Sequence, residues 1–296
     1  MAQSARELEL REVGEADAPP EVTEVYGRIK ETLRVSVVNF VWRVFATKPA
    51  FLRGVWDQLE PAVDEGFMQA AEGIRALAIE RVRAATQVPD HRSLLGDDLF
   101  QAVQELRVFM EVNPRLLVLM CALRRSWEEG EIGGLRTAVP TERGVPSWQP
   151  QVEEGSPSGA AKRALKEIVE VLDLPAPNTD YRVLAKWPEY FPEAWGALRT
   201  FVGTDSWRGL CETVQWVAEE AALALPAKVH VARNDAGALG LQSSEEVEEA
   251  TAWIETFHRL LPGLIANTSY LWVGLRGGSE RETPVRGTFE RSEQAG

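Results

Sequence analysis

From position 21 onward apolar residues return every three or four positions. Val22, Val25, Tyr26, Ile29 and Leu33 predict a first amphipathic helix. A short helix is expected over about 39–46, and Pro49 opens another that carries Leu52, Val55, Trp56 and Leu59. Proline suits a first helical position, where its missing N–H would have no partner anyway. Residues 67–86 keep the helical rhythm through Ile74, Leu77, Ala78, Val82 and Ala85. Beyond a turn at 89–93, Leu99, Val103, Leu106 and Met110 predict a further helix. Asn113-Pro114 is expected to break it, with a separate buried helix starting over the apolar run 116–123.

Between Gly130 and Gly159 the pattern lapses into repeated Gly, Ser and Pro, including Pro140, Pro146, Pro150 and Pro157. That composition predicts a linker or a long surface strap. The helical pattern then restarts. Leu165, Ile168, Leu172 and Leu174 mark one helix, 180–186 a short one and 188–202 the next. Others follow over about 206–223, 243–261 and 263–274. Strand-like alternation is nearly absent, so the fold class is all-α. The chain divides into a polar lead-in (1–20), a first helical unit (21–130), the strap (131–159), a second helical unit (160–276) and a polar tail (277–296) expected to be disordered.

The two units are alike. Displaced by 139 positions, residues 24–63 share eleven identities in forty with 163–202, among them Asn39/Asn178, Arg43/Arg182, Pro49/Pro188, Trp56/Trp195 and Leu59/Leu198. Unrelated helical segments would share about two or three at average residue usage. Further on the displacement becomes 148, which sets Phe109 over Phe257 and Pro114 over Pro262. The expectation is two tandem helical repeats packed as an intrachain pseudo-dimer, each covering the apolar face the other would leave exposed.

Such a repeat separates scaffold from chemistry. Trp56/Trp195, Pro49/Pro188 and Arg43/Arg182 recur and read as frame, the arginines as structural ion-pair donors. Asp180 does not recur, because its counterpart is Val41. A position that the fold fills with valine faces the interior or an interface. A carboxylate placed there would have a raised pKa and could serve as a general base. Asn113 is also present in one copy only, opposite Leu261. Each has a plainer reading as helix-start chemistry: Asp180 in a first turn, Asn113 as a cap ahead of Pro114.

Composition narrows the partners. The 296 residues carry 45 acids against 32 bases, a net charge of −13, which argues against nucleic acid or an anionic membrane as partner. No apolar run is long enough to span a bilayer. His91, His230 and His258 lie far apart without ligand spacing, and Cys121 and Cys211 make neither a metal site nor a disulfide framework by themselves. The histidines read as surface or satisfied groups, Cys121 as core, and a reducing cytoplasm is the expected compartment.

Taken in order, Leu33-Arg34-Val35, 43–47, Pro49, Trp56, Asn113-Pro114-Arg115 with 116–119, Thr179-Asp180 and 184–188 resemble the group I α-haloacid dehalogenases, the DehI-type family that acts on D- or on both D- and L-2-haloalkanoic acids. The similarity runs over about 21–275. It implies an all-helical pseudo-dimer and a small anionic halogenated carboxylic acid as substrate. It also implies an aspartate-activated water that attacks C2 with inversion and no ester intermediate. No metal or organic cofactor is required, and a homodimer stays open. Asp180 matches the family's aspartate and Asn113 its water-holding asparagine. Phe40, Thr179 and Phe257 fall on pocket-lining positions. Asn178 precedes them at the start of the short helix, where backbone N–H groups could meet an anion. Val37 and Leu116 stand where a characterised relative has tryptophan and tyrosine, which implies a reshaped pocket. The altered walls motivate an alternative: the same fold reused to bind small carboxylates, or as a hydrolase or lyase of another anionic substrate.

Overall fold

The computed structural model describes residues 10–276. Its helices are α1 (Pro20–Leu33), α2 (Phe40–Phe45), α3 (Pro49–Leu59), α4 (Glu65–Ala85), α5 (Leu99–Glu129), α6 (Gly159–Val171), α7 (Thr179–Leu184), α8 (Phe191–Phe201), α9 (Asp205–Leu223) and α10 (Ser244–Arg276). The periodicity reading therefore holds at the level of class: the fold is helical. Among the described residues the one sheet is a pairing of β1 (Ile132–Gly133) with β2 (Lys228–Val229), antiparallel, with Ile132 opposite Val229. None of the described helices is long and apolar enough to cross a membrane. The tail at 277–296 lies outside the described residues.

Local chemistry explains most boundaries. Pro20 sits in the first turn of α1, and α1 ends where Arg34 adopts a left-handed conformation (φ 53°). The Asp64 and Thr204 side chains cap α4 and α9 by accepting from Phe67 N (2.9 Å) and Trp207 N (3.2 Å). Among the described residues, Arg34 and Asp173 are the non-glycine residues with positive φ. They lie 173 − 34 = 139 positions apart, the displacement of the sequence repeat. The backbone bonds that close these turns, Val35 N to Lys30 O and Leu174 N to Val169 O, are displaced by the same amount. So are α2 and α7.

Two expected breaks are absent. Asn113-Pro114 does not end a helix: α5 runs unbroken for 31 residues with Pro114 inside it. Likewise 243–261 and 263–274 form one 33-residue helix, α10, with Pro262 inside. A proline within a helix forfeits one backbone hydrogen bond and costs about 3 kcal/mol. Here the cost is set against residues 116–123, every one fully buried, and each large apolar side chain contributes about 1.5–3 kcal/mol. Burial wins, and both helices continue. Asn113 is consequently a mid-helix residue, neither a cap nor a source of free backbone N–H groups. A smaller correction concerns Pro188. The helix opens at Phe191 with Pro192 in its first turn, and Pro188 belongs to the preceding turn, closed by Phe191 N to Trp187 O (2.9 Å).

The long helices α5 and α10 pack on each other and against α4 and α9. An aromatic cluster joins α2 and α3 to α10: Trp42 meets Trp56 (5.4 Å between rings), Phe45 meets Phe51 (5.2 Å), and Phe45 stacks on Trp253 (6.0 Å).

The Pro/Gly segment after α5 is a strap held down by hydrogen bonds. Gly144 N donates to Glu31 O (2.8 Å), and the Gln149 side chain accepts from Ser36 N and donates to Arg34 O. Gly155 N donates to Arg182 O (3.1 Å). A Cβ at Gly155 would sit 2.8 Å from Lys186 backbone atoms, so only glycine lets the strap lie this flat. Asp64 anchors the other end. It accepts from Arg136 (Nη1, 2.5 Å) and Val139 N (2.9 Å) while capping α4. The Arg136 guanidinium and the two backbone donors hold its carboxyl down at about 2, against the burial that would raise it. Asp64→Ala should therefore cost about 2 kcal/mol at neutral pH, from a lost cap and a half-buried charge-assisted bond. A urea midpoint measurement reads that cost, and limited proteolysis should cut the strap near 136–141 faster in the variant.

Candidate active site

The site begins with two short helices, α2 and α7, held together by charge. Arg43 of α2 and Arg182 of α7 share two carboxylates. Arg43 Nη2 meets Glu12 (3.0 Å) and Glu154 (2.9 Å), and Arg182 meets Glu12 (Nη1, 2.7 Å) and Glu154 (Nε, 3.2 Å). Glu12 comes from the lead-in and Glu154 from the strap, so both segments close over the junction. The described part of the lead-in is accordingly packed, with Val13 N on Arg43 O (2.9 Å) and Tyr26 Oη on Val13 O (2.8 Å). The recurring arginines are ion-pair donors, as their recurrence implied.

Beneath this junction three amide and carboxyl side chains line up. The Asn39 side-chain oxygen caps α2, accepting from Val41 N (3.2 Å). That fixes its amide: Nδ2 must point away from the helix, and it donates to Asn113 Oδ1 (3.3 Å). Asn113 is then obliged to present its own Nδ2 onward, and it meets Asp180 Oδ2 in a long contact (3.4 Å). The other Asp180 oxygen accepts from Tyr181 N (3.2 Å). A backbone N–H thus orients two amides in series so that a donor faces the carboxylate.

Asn113 and Asp180 are fully buried, and Asn39 nearly so. Val41, the counterpart of Asp180, is buried as well, so the position faces the interior in both halves. Burial raises the Asp180 carboxyl to about 7. Its bonds from Asn113 and the backbone, and the nearby Arg182 charge, act in the opposite direction without cancelling the effect. A carboxyl in this state is half ionised near neutrality, as a general base requires.

Around the pair stand most of the other expected site residues. Leu116 lies three residues beyond Asn113, on the same face of α5, and is fully buried. Phe40 packs edge-on against Phe257 (5.7 Å), and the Arg182 guanidinium lies over the Phe40 ring (5.3 Å). Thr179 Oγ1 accepts from Arg43 (3.1 Å) and Arg182 (3.4 Å). Val37 is buried ahead of α2. Asn178 stands apart. Its side chain faces a cavity of about 260 Å³ that is lined also by Tyr181 and Asn267 and by none of the other expected site residues.

Asn39 was not expected. It recurs as Asn178, so it lacks the one-copy asymmetry that singles out Asp180 and Asn113. Its capping position was legible, but its reach across 74 residues to Asn113 was not. The histidines also gain a partner the spacing hid. His258 Nε2 lies 2.7 Å from Glu219, with the Cys121 thiol in the same cluster. The Gln215 amide nitrogen contacts all three, at 2.8 Å, 3.0 Å and 3.3 Å respectively. These residues have the donor types of a metal centre, but their polar groups are spent on one another. Burial and the Glu219 charge raise the Cys121 thiol well above its ordinary range.

The chain is similar to known proteins over most of its length. Residues 36–143 match the family model described as halocarboxylic acid dehydrogenase DehI. The chain is similar to the (R)-2-haloacid dehalogenase of Pseudomonas putida, 26% identical over 275 residues that cover 88% of this chain and 91% of the relative. It also matches a configuration-inverting 2-haloacid dehalogenase of Alcaligenes xylosoxydans xylosoxydans, 27% identical over 190 residues, 60% of this chain and 64% of that one. Its fold is that of a D-2-haloacid dehalogenase mutant solved in complex with D-2-CPA, with a TM-score of 0.84 at 24% identity over 93% of this chain and 99% of the other. By sequence and by fold together, the chain is similar to the DehI-type haloacid dehalogenases.

Proposed function

We propose that this protein is a hydrolytic 2-haloacid dehalogenase. Asp180 takes a proton from a water that Asn113 holds, and the water oxygen bonds to C2 of the substrate as the carbon–halogen bond breaks. The halide leaves with the bonding electron pair, and the product is the 2-hydroxy acid with inverted configuration. The Asp180 proton then passes to solvent. No ester forms on the protein. The observation that carries this reading is a wholly buried carboxyl, raised to about 7, facing an oriented amide donor at a position where the other half of the chain has valine. The relatives named as (R)-specific and as configuration-inverting support the same reaction type.

In this reading Asn39 positions Asn113, and Val37, Phe40, Leu116, Thr179 and Phe257 form the walls around the substrate. The paired displacements of 139 in α2/α7, in the two positive-φ residues and in their closing bonds support two tandem repeats, 21–130 and 160–276, joined by the strap and packed as an intrachain pseudo-dimer. A carboxylate-binding protein without turnover is less well supported, because binding alone gives no reason to hold a buried aspartate half ionised.

Incubation with each enantiomer of 2-chloropropionate tests the assignment. Halide and lactate of opposite configuration should appear in equal amounts. Because the base acts as carboxylate, kcat/KM should rise with pH through an apparent pKa of about 7 and then level. No halide from either enantiomer, or a rate indifferent to pH between 5 and 9, would contradict the proposal.

A further inference from the structure

The cavity beside α7 has its own chemistry. Its walls are Leu172, Leu174, Trp207, Leu260 and Leu264 together with Pro262 and Gly263, and its polar groups are Asn178, Tyr181, Asn267 and Cys211. The one charged residue lining it is Arg259. Asp180 does not line it.

Asn178 is the informative group. Its counterpart Asn39 uses both ends of its amide, one to cap α2 and one on Asn113. Asn178 is 7% exposed, does not cap α7, and makes no side-chain hydrogen bond among the described residues. The reason lies in the second half itself, where the position matching Asn113 is Leu261, which has nothing to offer an amide. Its amide opens onto the cavity, and with no protein partner it is free to hydrogen-bond a ligand group that enters there.

The neighbouring polar groups lean the same way. Tyr181 Oη accepts from Asn267 Nδ2 (2.9 Å), which leaves the phenol proton without an acceptor among the described residues. Asn267 Oδ1 is taken by Trp207 Nε1 (2.9 Å), so what Asn267 has left to offer is its second N–H. The cavity therefore presents spare donors from Asn178, Tyr181 and Asn267 and a guanidinium at Arg259, held loosely by Asp173 (3.6 Å). No carboxylate lines it, in a chain of net charge −13. Apolar walls with converging donors and one positive charge fit an apolar body that carries a single carboxylate.

We infer that this cavity is a second binding site, for a small apolar monocarboxylic acid, formed by Asn178, Tyr181, Asn267 and Arg259 and separate from the Asp180 site. The inference does not rest on dehalogenation, and it stands or falls by binding alone.

Phenylacetate is a suitable probe because it has the acid and an apolar ring but no leaving group. Isothermal titration of the full chain should show saturable binding, with 2-phenylethanol, the uncharged analogue, bound more weakly. Asn178→Leu should weaken phenylacetate by about tenfold or more. Cys211→Phe, which fills the cavity from a half-buried position, should weaken it similarly, and this gives a second readout if Asn178→Leu fails to fold. Asp180→Asn should leave the affinity within about twofold. Absence of saturable binding would overturn the inference. So would affinity kept in both cavity variants, or affinity lost in Asp180→Asn, which would place the acid at the Asp180 site instead.

Discussion

Asp180→Asn is expected to lower the rate of halide release by about 10³- to 10⁴-fold while the protein remains folded. Removal of a positioned general base costs about 10²–10⁴ in rate. The upper part of that range applies because the described site offers no other carboxylate facing Asn113: Glu12 and Glu154 are bound to Arg43 and Arg182. Asparagine preserves the shape and the interior packing, so KM should change far less than kcat. A parallel fall in kcat and kcat/KM would identify an interaction made in the transition state. A rise in KM alone would identify Asp180 as a binding group.

The same side chain should make stability depend on pH in an unusual direction. The folded-state value of about 7 lies above the 3.8 of an ordinary aspartate. The folded protein therefore holds this proton more tightly than the unfolded chain. Its contribution is favourable below about pH 4, is lost progressively as pH rises toward 7, and is level above that. The interval corresponds to about 4 kcal/mol at about 1.36 kcal/mol per pH unit. A carboxylate held by a guanidinium and backbone donors behaves oppositely, as Asp64 does with its value held at about 2. Because other groups titrate in the same window, the useful quantity is a difference. Urea unfolding of the parent and of Asp180→Asn, compared from pH 4.5 to 8.5, should show the variant gaining on the parent as pH rises. A constant difference would mean that Asp180 titrates normally and that the carboxyl is not poised for base chemistry.

How much of this could be read from the chain follows from which interactions are local. Helical spacing of apolar residues is local, and the short helices α2 and α7 were placed within about two residues. The repeat was legible because identities such as Asn39/Asn178 and Arg43/Arg182 survive in both copies. It led to Asp180 and Asn113 without knowledge of which side chains touch. What failed was the weight given to Pro114 and Pro262. A proline's local penalty is visible in sequence, whereas the burial that outweighs it is spread over α4, α5, α9 and α10. The Asn39–Asn113–Asp180 series was hidden for a related reason. Its members are 74 and 67 residues apart, and amide orientation is decided by a backbone donor that no pattern reveals. Asn178 was expected beside the others as the start of a short helix whose backbone N–H groups could meet an anion. Successive helical residues point in different directions, and its side chain faces the cavity instead.

Two features of the architecture bear on the chemistry together. The scaffold supplies two short helices, α2 and α7, clamped together by Arg43, Arg182, Glu12 and Glu154. In the proposed mechanism the differences between the halves carry the chemistry: aspartate for valine at 180, asparagine for leucine at 113. Burial at the junction raises the Asp180 carboxyl, so the packing of the short helices also sets the basicity that the proposal needs.

The central claim is that Asp180 activates water and does not itself attack the substrate. A single turnover of 2-chloropropionate in H₂¹⁸O, with protein in excess, tests it most directly. The account predicts that the first lactate formed carries ¹⁸O at C2 and that no label enters a protein carboxyl. Unlabelled oxygen at C2 in that first turnover, with ¹⁸O recovered in the peptide containing Asp180, would contradict it.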